Sequence, residues 1–61
     1  MDTINVLIIE DEPDQSDALC KVLVENKYNI AGVARNYKDA LQLIFKSPID
    51  IIIIDVFLSV F

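Results

Sequence analysis

The 61-residue sequence contains no histidine and only one cysteine, Cys20. Without histidine, the chain cannot supply a Ser/His or Cys/His nucleophilic pair. With no histidine and one cysteine, a zinc site formed within the chain is also excluded. A single cysteine cannot form an internal disulfide, which is typical of a reducing compartment, and we expect a cytoplasmic protein. Cys20 itself is predicted to be a small, partly buried side chain of a helix rather than a reactive thiol.

Basic residues are also scarce, since five Lys and Arg face ten Asp and Glu, for a formal net charge of −5. Nucleic-acid binding is therefore disfavoured, because phosphate backbones are bound by basic patches. The N-terminus lacks a basic stretch followed by an apolar one, so no signal peptide is predicted. No apolar run approaches the roughly 20 residues of a membrane span, and we expect no membrane association.

Apolar residues, by contrast, are abundant for so short a chain, at 54% of the sequence. A chain of this length forms one domain at most, and it buries only about 60% of the surface that its unfolded form exposes. A core of this size rarely contributes more than a few kcal/mol, about 3–5. We therefore expect residues 1–61 to form one unit that needs more partner surface than it encodes, either because it is a fragment or because it is completed by self-association.

Two of the apolar runs end abruptly in acidic residues. Residues 4–9 are followed by Glu10 and Asp11, and residues 51–54 are followed by Asp55. Runs that are apolar on both faces are typical of strands buried in a parallel sheet, and ligands of such sheets gather at the carboxyl ends of the strands. If the two strands are neighbours, about 4.8 Å apart, the three acids converge. The sequence therefore predicts a cation site there.

The remaining pattern alternates helix and strand, which indicates an α/β fold with parallel strands. Both crossover connections should be right-handed, and the first strand should lie between the other two, in the order 2-1-3. The third strand then keeps one unpaired edge, and its four isoleucines invite pairing with another chain. The predicted strands are 4–9, 30–34 and 51–55, and the predicted helices are 13–26 and 37–46.

Helical periodicity predicts which side of each helix is buried. Asn36 is a good N-cap for the second helix, and Glu12 is expected to serve the N-terminus of the first. The buried stripe of the first helix is predicted to comprise Ala18, Leu19, Val22 and Leu23. That of the second is predicted to comprise Tyr37, Ala40, Leu41, Ile44 and Phe45.

An acid pair after the first strand, combined with an Asp at the end of an isoleucine-rich third strand, is a fairly specific combination. The chain resembles the receiver domain of two-component response regulators in three segments that include these acids, residues 6–13, 40–41 and 50–58. The resemblance covers nearly all of this chain and about the first half of a receiver. It implies a truncated flavodoxin-like βαβαβ unit, so that residues 1–61 form a partial receiver domain.

The resemblance also implies a role for each acid. Asp55 would be the phosphoacceptor, taking a phosphoryl group from a phosphohistidine on a sensor histidine kinase or phosphotransfer protein. Mg²⁺ would be held by Asp11 directly, by Glu10 through water, by Asp55 and by the backbone carbonyl of Phe57. Such a domain is a phosphoacceptor in a phosphorelay rather than an enzyme.

The sequence departs from the receiver pattern after Asp55. Leu58 is followed by neither Pro nor Gly, and the Ser or Thr and the Lys that end the fourth and fifth strands of a receiver have no counterpart here. We therefore expect the isolated chain to be impaired or inactive in phosphotransfer.

Other interpretations stay open at this point. The acids could merely cap a helix and close a strand. The chain could be a catalytically silent, self-associating interaction module, whose third strands or residues 56–61 meet in a two-fold homodimer. A magnesium phosphohydrolase is a weaker alternative, because Phe57 occupies the place of its usual second acid.

Overall fold

The computed structural model describes residues 3–55, and these form three strands and two helices. Every predicted element is present, and each boundary agrees with the prediction to within one residue. In chain order the elements are β1 (Asn5–Ile9), α1 (Pro13–Glu25), β2 (Asn29–Ala34), α2 (Tyr37–Lys46) and β3 (Ile51–Ile54).

The three strands form one parallel sheet in the order β2-β1-β3, which confirms the predicted topology. β1 is paired on both sides, and its residues from Val6 to Ile9 are buried. Burial on both faces explains why this strand is a continuous apolar run rather than an alternating one. The architecture is thus a truncated α/β flavodoxin-like unit with β1 at its centre.

Small side chains in β2 let α2 approach the sheet closely. A Cβ placed on Gly32 would lie only 2.9 Å from Cδ1 of Leu43, so the position has no room for a side chain unless Leu43 moves. Leu43 and Ile49 pack against a core cluster on this face of the sheet. The buried members of that cluster are Leu7, Ile9, Ala34 and Ala40.

The buried side of α1 differs from the predicted one. Leu19 and Leu23 are half-buried as expected, but Ala18 and Val22 are exposed. The inner stripe instead passes through Ser16, which is buried. Its hydroxyl donates a hydrogen bond to the carbonyl oxygen of Pro13 over 3.0 Å, and this bond makes a polar side chain acceptable inside.

The buried side of α2 was predicted correctly at Ala40 only. Leu43, which was not in the predicted stripe, packs against the core because Gly32 leaves space for it. The other four predicted positions, Tyr37, Leu41, Ile44 and Phe45, are exposed, and Phe45 reaches 86%. The helix therefore presents an apolar stripe to the outside of the described structure.

β3 is the least covered strand. Its residues Ile51, Ile52 and Ile54 are 41%, 43% and 48% exposed, so the expectation of a strand buried on both faces is wrong for β3 within residues 3–55. The helices pack on β2 and, for α2, on β1, and neither packs substantially on β3.

The two helices begin with different caps. Asn36 confirms its predicted role, because its side-chain oxygen accepts a hydrogen bond from the backbone N–H of Asp39 over 2.9 Å. Glu12 occupies the N-cap position of α1, but its side chain makes no capping hydrogen bond. Its contribution is therefore limited to its charge near the positive end of the helix.

This difference predicts unequal costs for two matched substitutions. We expect Asn36→Ala to lower the free energy of unfolding by about 1 kcal/mol, because one N–H of α2 loses its acceptor. Glu12→Ala, at the equivalent position of α1, should cost less. Urea unfolding followed by circular dichroism at one fixed protein concentration measures both, and an equal or larger loss for Glu12→Ala would contradict the assignment of the caps.

Candidate functional site

The carboxyl ends of β1 and β3 meet at one edge of the sheet. The register pairs Ile9 with Ile54, so Glu10 and Asp55 are the residues at which the two strands leave the sheet. Backbone hydrogen bonds fix the positions of Glu10 and Asp55 at the ends of the two strands. The N–H of Asp55 donates to the carbonyl oxygen of Ile9 over 3.1 Å, and that of Glu10 donates to Ala34 over 2.8 Å.

Three acidic side chains converge at this edge. Glu10, Asp11 and Asp55 each offer one carboxylate oxygen, and these oxygens all lie within 4.8 Å of one another. The convergence predicted from the two strands is thus confirmed as geometry. Glu10 is buried at 7% exposure, Asp55 is half-buried and Asp11 is exposed, so the cluster runs from the protein interior to the solvent.

Glu10 is held by hydrogen bonds on both sides of its carboxyl group. Its Oε1 accepts a hydrogen bond from the backbone N–H of Glu12 over 3.0 Å. A side-chain hydrogen bond to Asp55 raises the pKa of Glu10, burial raises it further, and the N–H of Glu12 acts in the opposite direction. The charges of Asp55 and Asp11 also raise it. The proximity of Asp55 and the burial of Glu10 therefore both favour the protonated form of Glu10 over its charged form.

The cluster has the donor set of a divalent cation site. Carboxylate oxygens are the ligands that Mg²⁺ prefers, and a cation among them would offset the repulsion between the three acids. The residues therefore fit the predicted metal, with Asp11 at the solvent side. The fourth predicted donor, the backbone carbonyl of Phe57, lies outside the described residues.

A cavity of about 280 Å³ lies beside the cluster, and it contains residues that the sequence analysis missed. Arg35 follows β2 directly, at the same edge at which Glu10 and Asp55 follow their strands. This position directly after a predicted strand was the signal in the sequence from which Arg35 could have been assigned to the same edge. The cavity is lined by Glu10, Pro13, Ser16, Asp17, Val33 and Arg35.

The thiol of Cys20, which the sequence predicted to be unreactive, lies in an environment that agrees with a packing role. Cys20 is half-buried on α1, as predicted. Burial raises the pKa of its thiol, and the charge of Asp17 adds to this effect. A raised pKa lowers the thiolate fraction, which does not favour reactivity.

A family model described as the response regulator receiver domain matches residues 6–60. No curated protein and no solved structure matches the chain. Among the helices of residues 3–55, none has the length and apolar character needed to cross a membrane.

The acidic cluster predicts that Mg²⁺ binding depends on Asp11 more than on a nearby acid outside the cluster. We expect Asp11→Asn to weaken Mg²⁺ binding roughly tenfold, because one of few carboxylate donors is lost. The matched control is Asp14→Asn, which removes the same charge from the exposed first turn of α1. Isothermal titration calorimetry measures both, and equal losses would contradict the site.

The raised pKa of Glu10 predicts a pH dependence of stability with a definite sign. Because the pKa of Glu10 is raised in the folded state, proton binding favours folding, and stability without Mg²⁺ should fall as pH rises from the ordinary glutamate pKa through the raised one. Over the same window the affinity for Mg²⁺ should rise, since the cation competes with the proton.

Calorimetry in two buffers of different ionisation enthalpy counts the protons released on binding. We expect release for the wild type and less release for Glu10→Gln. Mg²⁺ binding to the wild type without proton release at any pH in that window would contradict competition between the cation and a proton on Glu10.

Proposed function

The chain belongs to the response regulator receiver domain family, and from this membership we propose that it accepts a phosphoryl group on Asp55 in two-component signalling. The observation that supports the proposal most strongly is the convergence of Glu10, Asp11 and Asp55 within 4.8 Å at the carboxyl edge of a parallel sheet. The donor would be a phosphohistidine of a sensor histidine kinase or phosphotransfer protein, and the reaction would take place in the cytoplasm.

In the proposed reaction, a carboxylate oxygen of Asp55 attacks the phosphorus of the phosphohistidine. The new O–P bond forms as the P–N bond breaks, and the electron pair of that bond stays on the imidazole nitrogen. The product is an acyl phosphate on Asp55. The attack requires Asp55 in its carboxylate form, because a protonated carboxyl group is a poor nucleophile.

We assign the neighbouring acids to binding and orientation. Asp11 is exposed and would contact the cation directly, whereas Glu10 is buried and oriented by the N–H of Glu12, and it would bind through water. When bound, Mg²⁺ supplies neutralisation of the phosphoryl oxygens, the main requirement of phosphoryl transfer. The backbone carbonyl of Phe57 stays part of this proposal from the family resemblance alone.

A second candidate function is a catalytically silent, self-associating interaction module. The observation that favours it is the exposure of Ile51, Ile52 and Ile54 along β3. This function would use the outer surface of β3 and would not need Asp55 as a nucleophile. A receiver that accepts phosphoryl groups and a silent module can therefore be separated by chemical labelling.

We expect incubation with a small phosphodonor and Mg²⁺ to give slow addition of one phosphoryl group, seen by intact mass measurement. Asp55→Asn should abolish the adduct and Asp14→Asn should leave it, because Asp55 is the proposed acceptor and Asp14 lies outside the cluster. Omission of Mg²⁺ should reduce labelling further. An adduct that persists in Asp55→Asn would contradict the assignment, and no adduct under conditions in which Mg²⁺ binds would favour the silent module.

A further inference from the structure

The side chains of β1 and β3 do not specify how the two strands align. β3 is a run of isoleucines, and β1 is apolar from Val6 to Ile9. Register is commonly set by an alternation of apolar and polar residues, because a slip by one residue moves every side chain to the other face of the sheet. These runs have no such alternation, so a slipped β3 would present the same kind of side chain to β1. Another contact must therefore select the observed register.

The acidic cluster depends on that register. Ile54 is paired with Ile9, and Asp55 follows directly. A slip of one residue would turn Asp55 to the opposite face of the sheet, and a slip of two would move it roughly 6.6 Å along β1. The three carboxylate oxygens now lie within 4.8 Å of one another, so either slip would separate Asp55 from Glu10 and Asp11.

A polar contact at the opposite end of the two strands does depend on register. It joins Asn5, the first residue of β1, to Asp50, which directly precedes β3. The backbone N–H of Asn5 donates to Oδ2 of Asp50 over 2.8 Å, and the N–H of Asp50 donates to the carbonyl oxygen of Asn5 over 2.9 Å. Hydrogen bonds need short distances and near-linear geometry, so a slip of one residue in either direction would break this reciprocal pair.

Asn5 is itself fixed by β2 on its other side. Its Oδ1 accepts a hydrogen bond from Nδ2 of Asn29 over 2.9 Å, and the N–H of Asn29 donates to the carbonyl oxygen of Ile4 over 2.9 Å. Asp50 therefore bonds to a residue that is tied into the sheet. Ile49, next to Asp50, packs against the core cluster. Such an apolar contact is non-directional, so it keeps the segment close to the sheet without selecting a register.

We propose that Asp50 is a positioning residue for the candidate cation site and that it acts through the register of β3. Its hydrogen bonds with Asn5 align β3 with β1 at one end of the strands, and this alignment brings Asp55 beside Glu10 and Asp11 at the other end. The effect on Mg²⁺ binding rests on the cation site of the proposed function, whereas the effect on the register does not.

The charge of Asp50 lies too far from the cluster to produce the same effect directly. Extended chain separates Asp50 from Asp55 by roughly 16 Å. This is about twice the Debye length of about 8 Å at physiological salt, so the carboxylate of Asp50 adds little attraction for a cation at the cluster. The hydrogen bond and the charge can be separated by substitutions that keep one and alter the other.

The register is measured without any metal. Scalar coupling across a hydrogen bond, from the amide nitrogen of Asp55 to the carbonyl carbon of Ile9, reports the 3.1 Å bond that the observed register forms. We expect this coupling in the wild type and its loss in Asp50→Ala, which removes the acceptor of the Asn5 N–H. Asp50→Asn should retain the coupling, because an amide oxygen can accept the same bond. An unchanged coupling in Asp50→Ala would overturn the proposal.

Mg²⁺ affinity then shows whether the register serves the site. Titration calorimetry should give roughly tenfold weaker binding for Asp50→Ala and near wild-type binding for Asp50→Asn. Asp50→Glu keeps the charge but displaces the acceptor oxygen by one carbon, and it should bind more weakly than Asp50→Asn. If Asp50→Ala does not fold, the comparison of these two variants decides. Weaker binding by Asp50→Asn than by Asp50→Glu would mean that charge matters rather than the hydrogen bond, and the proposal would be wrong.

Asn36→Ala is the matched control for a general loss of stability. It also removes a side-chain acceptor of one backbone N–H, at the start of α2, and it should leave both the coupling and the Mg²⁺ affinity at wild-type values. Equal losses in Asn36→Ala and Asp50→Ala would contradict a specific role of Asp50. A wild type that binds no Mg²⁺ would contradict the proposed function, and the coupling in Asp50→Ala would still decide whether Asp50 sets the register.

Discussion

The parallel pairing of β1 with β3 is the constraint on which the rest of the structure depends. Its hydrogen-bond register sets Ile9 opposite Ile54, and the next residue on each strand is an acid. The same β1 is the buried centre of the sheet, so the element that supplies most of the packing also supplies Glu10 to the site. Stability and site geometry therefore rest on one strand, and a shift of its register would disturb both.

The site and the core place opposite demands on this strand. Burial of β1 stabilises the fold, whereas the convergence of three carboxylates opposes it through charge repulsion and, at Glu10, through loss of water. Proton uptake by Glu10, whose pKa is raised, can relieve the repulsion in the absence of metal, and a divalent cation can relieve it in the proton's place. The affinity of the cluster for positive charge is thus a consequence of the sheet topology, and it is the property that a phosphoacceptor site uses.

The sequence predicted the features that depend on the residues of each element itself, and it was less informative about how the elements pack on one another. The runs before Glu10 and Asp55 predicted two parallel strands and the acidic cluster between them, and Asn36 predicted the start of α2. Periodicity was less informative about the buried side of each helix, because it records residue type and not the shape of the opposing surface. Leu43 packs inward because Gly32 leaves space for it, and Ser16 is buried because Pro13 accepts its hydroxyl hydrogen bond. Exposure of β3 depends on which elements pack on it, and the sequence of the strand does not contain that information.

The central claim is that β1 and β3 bring their acids to one cation site, and paramagnetic relaxation tests it most directly. Mn²⁺ can replace Mg²⁺ at oxygen ligands, and it broadens the nuclear magnetic resonance signals of nuclei close to it. Substoichiometric Mn²⁺ added to the ¹⁵N-labelled chain should broaden the amide signals of Glu10, Asp11 and Asp55 together. Asn29, at the opposite end of the sheet, should be unaffected. Broadening around Glu10 and Asp11 without Asp55 would contradict the account, because the two strands would then not share a site.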